Sequence, residues 1–196
     1  MNLPKIRLQN GDALIVVDVQ YDFLPGGALA VPGGDETVAP LNRCLAVFSG
    51  HGLPVFATRD WHPPDHCSFS PQGGPWPPHC IAGTSGAAFS RELQLPEDVT
   101  IISKATEAEK DAYSGFEDTA LHDLLGEQQI RRVFIGGLAT DYCVKQTVLD
   151  ACRLGYKTHV LVDAVRAVNV QPNDEDEAFA VMRNAGAIPA ATDEIL

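Results

Sequence analysis

Arg132–Val162 reads RVFIGGLATDYCVKQTVLDACRLGYKTHVLV. It opens with a short apolar run, Arg132–Gly136 (RVFIG), and breaks at paired glycines. It resumes as Asp141–Leu154, stops at Gly155, and closes with a second apolar run, Lys157–Val162. Short continuous apolar runs bounded by turn residues are what parallel strands buried on both faces look like. The piece between them is too long for a strand and is ended by glycine, so it predicts a helix. Strand, helix, strand in succession is the crossover unit of a parallel sheet.

The pattern extends in both directions. Ala13–Val17 (ALIVV), Pro54–Thr58 (PVFAT), Val99–Ser103 (VTIIS) and Ala187–Ala190 read as further strands. Glu36–Ser49 places Val38, Leu41, Leu45 and Phe48 at helical spacing and ends at Gly50. Thr119–Leu125, ending at Gly126, and the acidic-started Asn173–Ala185, ending at Gly186, read as helices. The expected architecture is α/β: three layers, with six mostly parallel strands covered by helices on both faces. At 196 residues the chain suits a single domain, 1–196. The nearest thing to a composition break, Trp61–Gly86, is rich in Pro, Gly and His. It also carries Trp61, Phe69 and Trp76, so it reads as an ordered functional loop rather than a tether.

The formal net charge is −12, which repels phosphate backbones and anionic lipid, so neither nucleic acid nor a membrane is expected as a partner. Five cysteines without a CxxC spacing argue against a disulfide framework. The amino-terminal MNLPKIRLQNGDALIVVDVQ lacks a signal-peptide pattern, and no apolar run reaches ~18 residues. A reducing cytoplasm is the expected setting, and a homo-oligomer is left open.

In open parallel sheets chemistry collects at the carboxyl ends of the strands. Asp18 follows the first strand, Asp60 and His62 the second, Lys104 the third and Cys143 the fourth. Cys143 is expected in the first turn of a helix, where the dipole favours thiolate and free N–H groups face a developing oxyanion. A cysteine nucleophile needs a proton acceptor, and Asp18 at the end of an apolar strand is the candidate base. Lys104 would favour the anionic forms of both. Taken singly, each of these residues is as easily a core cysteine, a turn aspartate or a surface lysine. Their shared placement at strand ends favours function. Asp60, His62, His66 and His79, in DWHPPDH and PPHC, offer one carboxylate and three imidazoles. That donor set suits one divalent metal: zinc, with iron or manganese as alternatives.

The segments DVQYDFLPGGALAV, TRDWHPPDHCSF, WPPHCIAGTSGA, DAYSGFEDT and GLATDYCV together resemble the nicotinamidases (pyrazinamidases) of the isochorismatase-like cysteine hydrolases. The resemblance runs from about Asp12 to Ala190. It implies an amidohydrolase converting nicotinamide to nicotinate and ammonia in NAD salvage, and accepting pyrazinamide. It implies Asp18, Lys104 and Cys143 as the catalytic trio, and Asp60, His62 and His79 as metal ligands within a loop at about 60–86. His66 matches a further histidine that some members add. Leu138–Ala139 matches a cis peptide that would aim the Ala139 and Cys143 amides into an oxyanion hole, with Leu138 beside the substrate. Phe23, Trp76 and Tyr113 match aromatics around the pyridine ring. Tyr21 departs from the Asn of many members, and its phenol would either reshape the pocket rim or face solvent. The rival readings are an amidohydrolase of the same superfamily acting on carbamoyl or ureido compounds, and a metal-dependent binding protein without turnover.

Overall fold

The computed structural model describes residues 5–196. Among them are the strands β1 (Asp12–Val17), β2 (Val55–Asp60), β3 (Thr100–Lys104), β4 (Arg132–Leu138), β5 (Lys157–Arg166) and β6 (Ile188–Ala190). They form one sheet in the order β3-β2-β1-β4-β5-β6, and every pairing is parallel. The order reverses between β1 and β4, and a crevice opens where the two neighbours' connections leave in opposite directions. The helices are α1 (Val38–Gly50), α2 (Leu121–Glu127), α3 (Lys145–Arg153) and α4 (Asp174–Asn184).

Strand β1 is buried along its whole length, so both of its faces carry apolar side chains. Leu14 and Val16 pack on one face with Leu41, Leu45 and Phe48 of α1. Ala13, Ile15 and Val17 pack on the other with Leu121 and Leu125 of α2, Val148 of α3 and Met182 of α4. Each fully buried large apolar side chain stabilises the fold by ~1.5–3 kcal/mol. At the amino end of the sheet the guanidinium of Arg132 grips both oxygens of Asp12, tying β4 to β1.

Three boundaries differ from expectation for local reasons. Helix α2 continues through Gly126, and the left-handed position that ends it falls to Gln129 at φ 56°. Cys143 lies not in an α-helical first turn but in a π-helical turn, Thr140–Val144, that leads into α3. The paired glycines before it lie inside β4, which runs on to Leu138 rather than ending at Gly136. Gly137 has φ 129°, and a Cβ there would fall 2.0 Å from the Val17 carbonyl oxygen. Only glycine lets β4 lie that close to β1.

His159 of β5 is buried and stacks on Phe134 with centroids 4.8 Å apart, and neither ring nitrogen has a protein hydrogen-bond partner. Burial, with Arg132 and Lys157 adding to it, lowers its pKa from 6.5 to about 4. The unfolded chain therefore binds a proton that the folded chain refuses. Stability is full above the unfolded pKa and is lost as pH falls towards the folded one. The loss amounts to ~3.5 kcal/mol at most, at ~1.4 kcal/mol per pKa unit. His159→Phe is expected to keep the stack and flatten this dependence. Urea midpoints of parent and variant between pH 7 and pH 4 measure it, and parallel slopes would remove His159 as the source.

Candidate active site

Strand β1 stops at Val17 because Asp18 takes φ 50° and turns the chain out of the sheet. The Asp18 amide still donates to the Thr58 carbonyl at 3.2 Å, and the Thr58 hydroxyl donates to Asp18 Oδ1 at 2.6 Å. Lys104 ends β3 in register with Asp60, the last residue of β2. Its ammonium is buried. It lies 3.0 Å from Asp18 Oδ2, pairs with Asp60 Oδ1, and donates to the Ala112 carbonyl at 3.2 Å and to Cys143 Sγ at 3.4 Å. Asp18, Asp60 and Cys143 each offer an atom within 4.8 Å of the others.

Burial governs the ionisation of this group. It pushes the Asp18 carboxyl up, opposed by Lys104 and reinforced by Asp60. It pushes the Cys143 thiol well up, opposed by Lys104 and reinforced by the same carboxylates. Burial alone would lower Lys104, but Asp18 and Asp60 outweigh it and hold the amine well above its ordinary value. For Asp60 burial is outweighed by Lys104 and His62, and the carboxyl sits below its usual range. The resting cysteine is therefore a thiol beside a proton-hungry carboxylate, rather than the helix-stabilised thiolate that the sequence suggests.

Asp60, His62 and His79 bring one donor atom each to within 4.8 Å of one another, and all are buried. His62 Nδ1 donates to the Ala105 carbonyl at 3.2 Å, and His79 Nδ1 donates to the Pro77 carbonyl at 2.8 Å. A carbonyl can only accept, so each ring carries its proton on Nδ1 and leaves the Nε2 lone pair free. His62 Nε2 is buried without a hydrogen-bond partner, 3.6 Å from Asp60 Oδ2. A tautomer-fixed, unpartnered imidazole facing a carboxylate fits a divalent cation. His66, the further histidine of the loop, stands apart from this group. Its Nδ1 is engaged by the Ser68 hydroxyl at 2.7 Å, and its Nε2 donates to the Lys110 carbonyl at 2.9 Å. Both ring nitrogens are used in holding the loop, although the ring lies 4.2 Å from that of His62.

Cys143, Asp60 and His79 border a pocket whose walls are apolar. Phe23, Trp76, Tyr113 and Leu138 line it, and Ala139 lies beside Cys143. The Leu138–Ala139 peptide is cis. Trp76 Nε1 donates to the Tyr113 hydroxyl at 3.0 Å, joining two loops across the pocket. Leu29, Val31, Tyr142 and Val168 also line it and were not anticipated. Tyr142 was signalled only by its place next to Cys143. Val168 is brought in by Asp141, whose carboxylate accepts the Val168 and Asn169 amides at 3.0 and 2.9 Å. Tyr21 lies outside the pocket, its hydroxyl accepting the Arg91 amide at 3.1 Å.

The sequence profile of the isochorismatase domain matches residues 12–194. The chain belongs to the isochorismatase family. Within that family, a nicotinamidase of Escherichia coli is 42% identical over 196 aligned residues, covering 89% of this chain and 92% of the relative. A crystal structure of the pyrazinamidase of Pyrococcus horikoshii in complex with zinc superposes with a TM-score of 0.89 at 48% identity, covering 92% of this chain and 99% of that one. The L. infantum PnC1 structure in complex with nicotinate gives a TM-score of 0.90 at 33% identity, covering 99% of each chain.

Removing the Lys104 cation would leave Asp18 and Asp60 as uncompensated buried carboxylates. Lys104→Met is expected to destabilise the metal-free protein by ~3–5 kcal/mol. Adding Asp18→Asn should restore part of that loss. Urea denaturation of the single and double variants reads the coupling, and additive effects would separate the two side chains.

Proposed function

We propose that this isochorismatase-family chain hydrolyses nicotinamide to nicotinate and ammonia through a thioester on Cys143. The observation that carries the reading is the Cys143 thiol set between Asp18 and Lys104 at the edge of an apolar, aromatic-walled pocket. The nicotinamidase and pyrazinamidase relatives and the nicotinate complex of a structural neighbour support the same substrate class.

Asp18 takes the thiol proton as Cys143 Sγ attacks the carboxamide carbon, and Lys104 offsets the charge that develops on sulfur. The amides of Ala139 and Cys143 hold the oxyanion. Asp18 returns its proton to the leaving nitrogen, ammonia departs, and a thioester remains. Asp18 then draws a proton from water, which attacks the thioester. Nicotinate leaves, and the proton returns to the thiolate. Phe23, Trp76 and Tyr113 sandwich the flat ring, with Leu138 beside it. Asp60, His62 and His79, in the loop at about 60–86, would hold zinc. When bound, the metal supplies a Lewis-acid centre for the lone pair of an aromatic ring nitrogen. Pyrazinamide differs from nicotinamide by one ring atom, and such a pocket discriminates weakly against it. The reaction serves NAD salvage, and a reducing cytoplasm suits a free-thiol nucleophile.

Cys143→Ala is expected to release no ammonia from nicotinamide while still binding it. Coupled ammonia assays and calorimetry check the two halves, and turnover by the variant would sink the nucleophile assignment. His79→Ala is expected to raise KM by ~10-fold or more while thermal unfolding barely moves. Unfolding on chelation would instead make the metal structural. A parent protein that releases ammonia only from carbamoyl or ureido compounds would transfer the site to that substrate class.

A further inference from the structure

We propose that Gln20 and Asp22, in the turn that follows Asp18, are positioning residues for the metal group: Gln20 holds the main chain of Asp60, and Asp22 holds that of Cys80, which adjoins His79 and bonds His62. The proposal rests on the metal reading of Asp60, His62 and His79.

The β1–β2 ladder ends at Val17 opposite Thr58, because Asp18 leaves the sheet. Asp60 lies further along β2. On one side it pairs with Lys104 of β3, while on the other β1 offers no backbone. A buried main-chain donor and acceptor there would go unpaired, at ~1–3 kcal/mol each. The Gln20 side chain takes the place of the missing strand. The Asp60 amide donates to Gln20 Oε1 at 2.8 Å, and Gln20 Nε2 donates to the Asp60 carbonyl at 2.8 Å. Nε2 also donates to the Ala87 carbonyl at 2.9 Å. Gln20 is 0% exposed, and a primary amide is the side-chain group that can mimic a peptide on both counts.

Asp22 does the equivalent work at the other end of the loop. Its Oδ2 accepts the amide of Cys80, the residue after His79, at 2.7 Å, and its Oδ1 accepts the Ala28 amide at 3.2 Å. Cys80 sits at φ 46°, a left-handed conformation that needs such a tether. Its carbonyl in turn accepts the His62 amide at 3.0 Å. A Cβ at Gly86 would fall 2.2 Å from Asp22 Oδ2, so a glycine is required for the carboxylate to sit there. The segment thereby fixes Asp60 at its own backbone and His79 at its neighbour's, and reaches His62 through Cys80. That segment also sets Asp18.

The test is zinc affinity, read by equilibrium competition with a chromophoric chelator on zinc-loaded protein, for the parent, Gln20→Glu, Gln20→Met, Asp22→Ala and Asp22→Asn. Gln20→Glu keeps the shape but turns the Nε2 donor into an acceptor facing two carbonyls. It and Asp22→Ala are expected to bind zinc ~10–100-fold more weakly. Asp22→Asn, which keeps one acceptor, should recover part of the loss. Leu125→Ala, buried in α2 away from the loop, is the stability control. It should lower Tm and leave zinc affinity unchanged. Affinities within twofold of the parent in folded Gln20 and Asp22 variants overturn the proposal, as does a weakening that Leu125→Ala reproduces. If Gln20→Glu does not fold, Gln20→Met and Asp22→Asn decide by the same twofold criterion. A parent that takes up no zinc also overturns it. Because the readout needs no turnover, failure to act on nicotinamide would count against the proposed reaction alone.

Discussion

The Lys104 ammonium, buried among Asp18, Asp60 and the Cys143 sulfur, is the constraint to which the rest of the site conforms. Moving an ion out of water carries a penalty of several kcal/mol, recovered only by close and well-directed partners. Those partners come from β1, β2 and the turn after β4, so the cluster exists only because four parallel strands end at one edge of the sheet. Two carboxylates around one ammonium leave a surplus negative charge in a dry place. A divalent cation beside Asp60 would more than offset that surplus. The metal reading of the loop and the proton chemistry of the thiol are thus parts of one charge balance.

The sheet was legible in the sequence because continuous apolar runs such as ALIVV and RVFIG have few alternatives as buried strands. Asp18, Asp60, Lys104 and Cys143 were candidates for a related reason: each stands at or shortly after the end of an apolar run. What was not legible depends on three-dimensional neighbours. Nothing near Thr58 announces that its hydroxyl donates to Asp18. Leu29, Val31 and Val168 are ordinary apolar residues until loops from distant parts of the chain bring them to one pocket. Nor do four ligand-type residues in one loop reveal that the His66 nitrogens are engaged by Ser68 and Lys110.

The segment after β2 is not a free lid. His66 is bonded to the Lys110 carbonyl, the Cys67 amide donates to the Ala108 carbonyl at 2.7 Å, and Trp76 is joined to Tyr113. Two long connections are stitched edge to edge, and the sheet fixes only one margin of each. A rigid framework thus delivers the reacting groups, while cross-linked loops give the pocket its shape. Loop changes can retune what fits without disturbing the charges beneath.

The depth of Cys143 also decides how the protein ages. Oxidants and alkylating agents attack thiolate, and they need to reach it. Cys143 is 6% exposed and held as a thiol, and Cys44 and Cys80 are buried with pKa values pushed upward as well. Cys67 and Cys152 are the half-buried thiols. An oxidant arriving from bulk solvent therefore meets Cys67 and Cys152 before the three buried thiols.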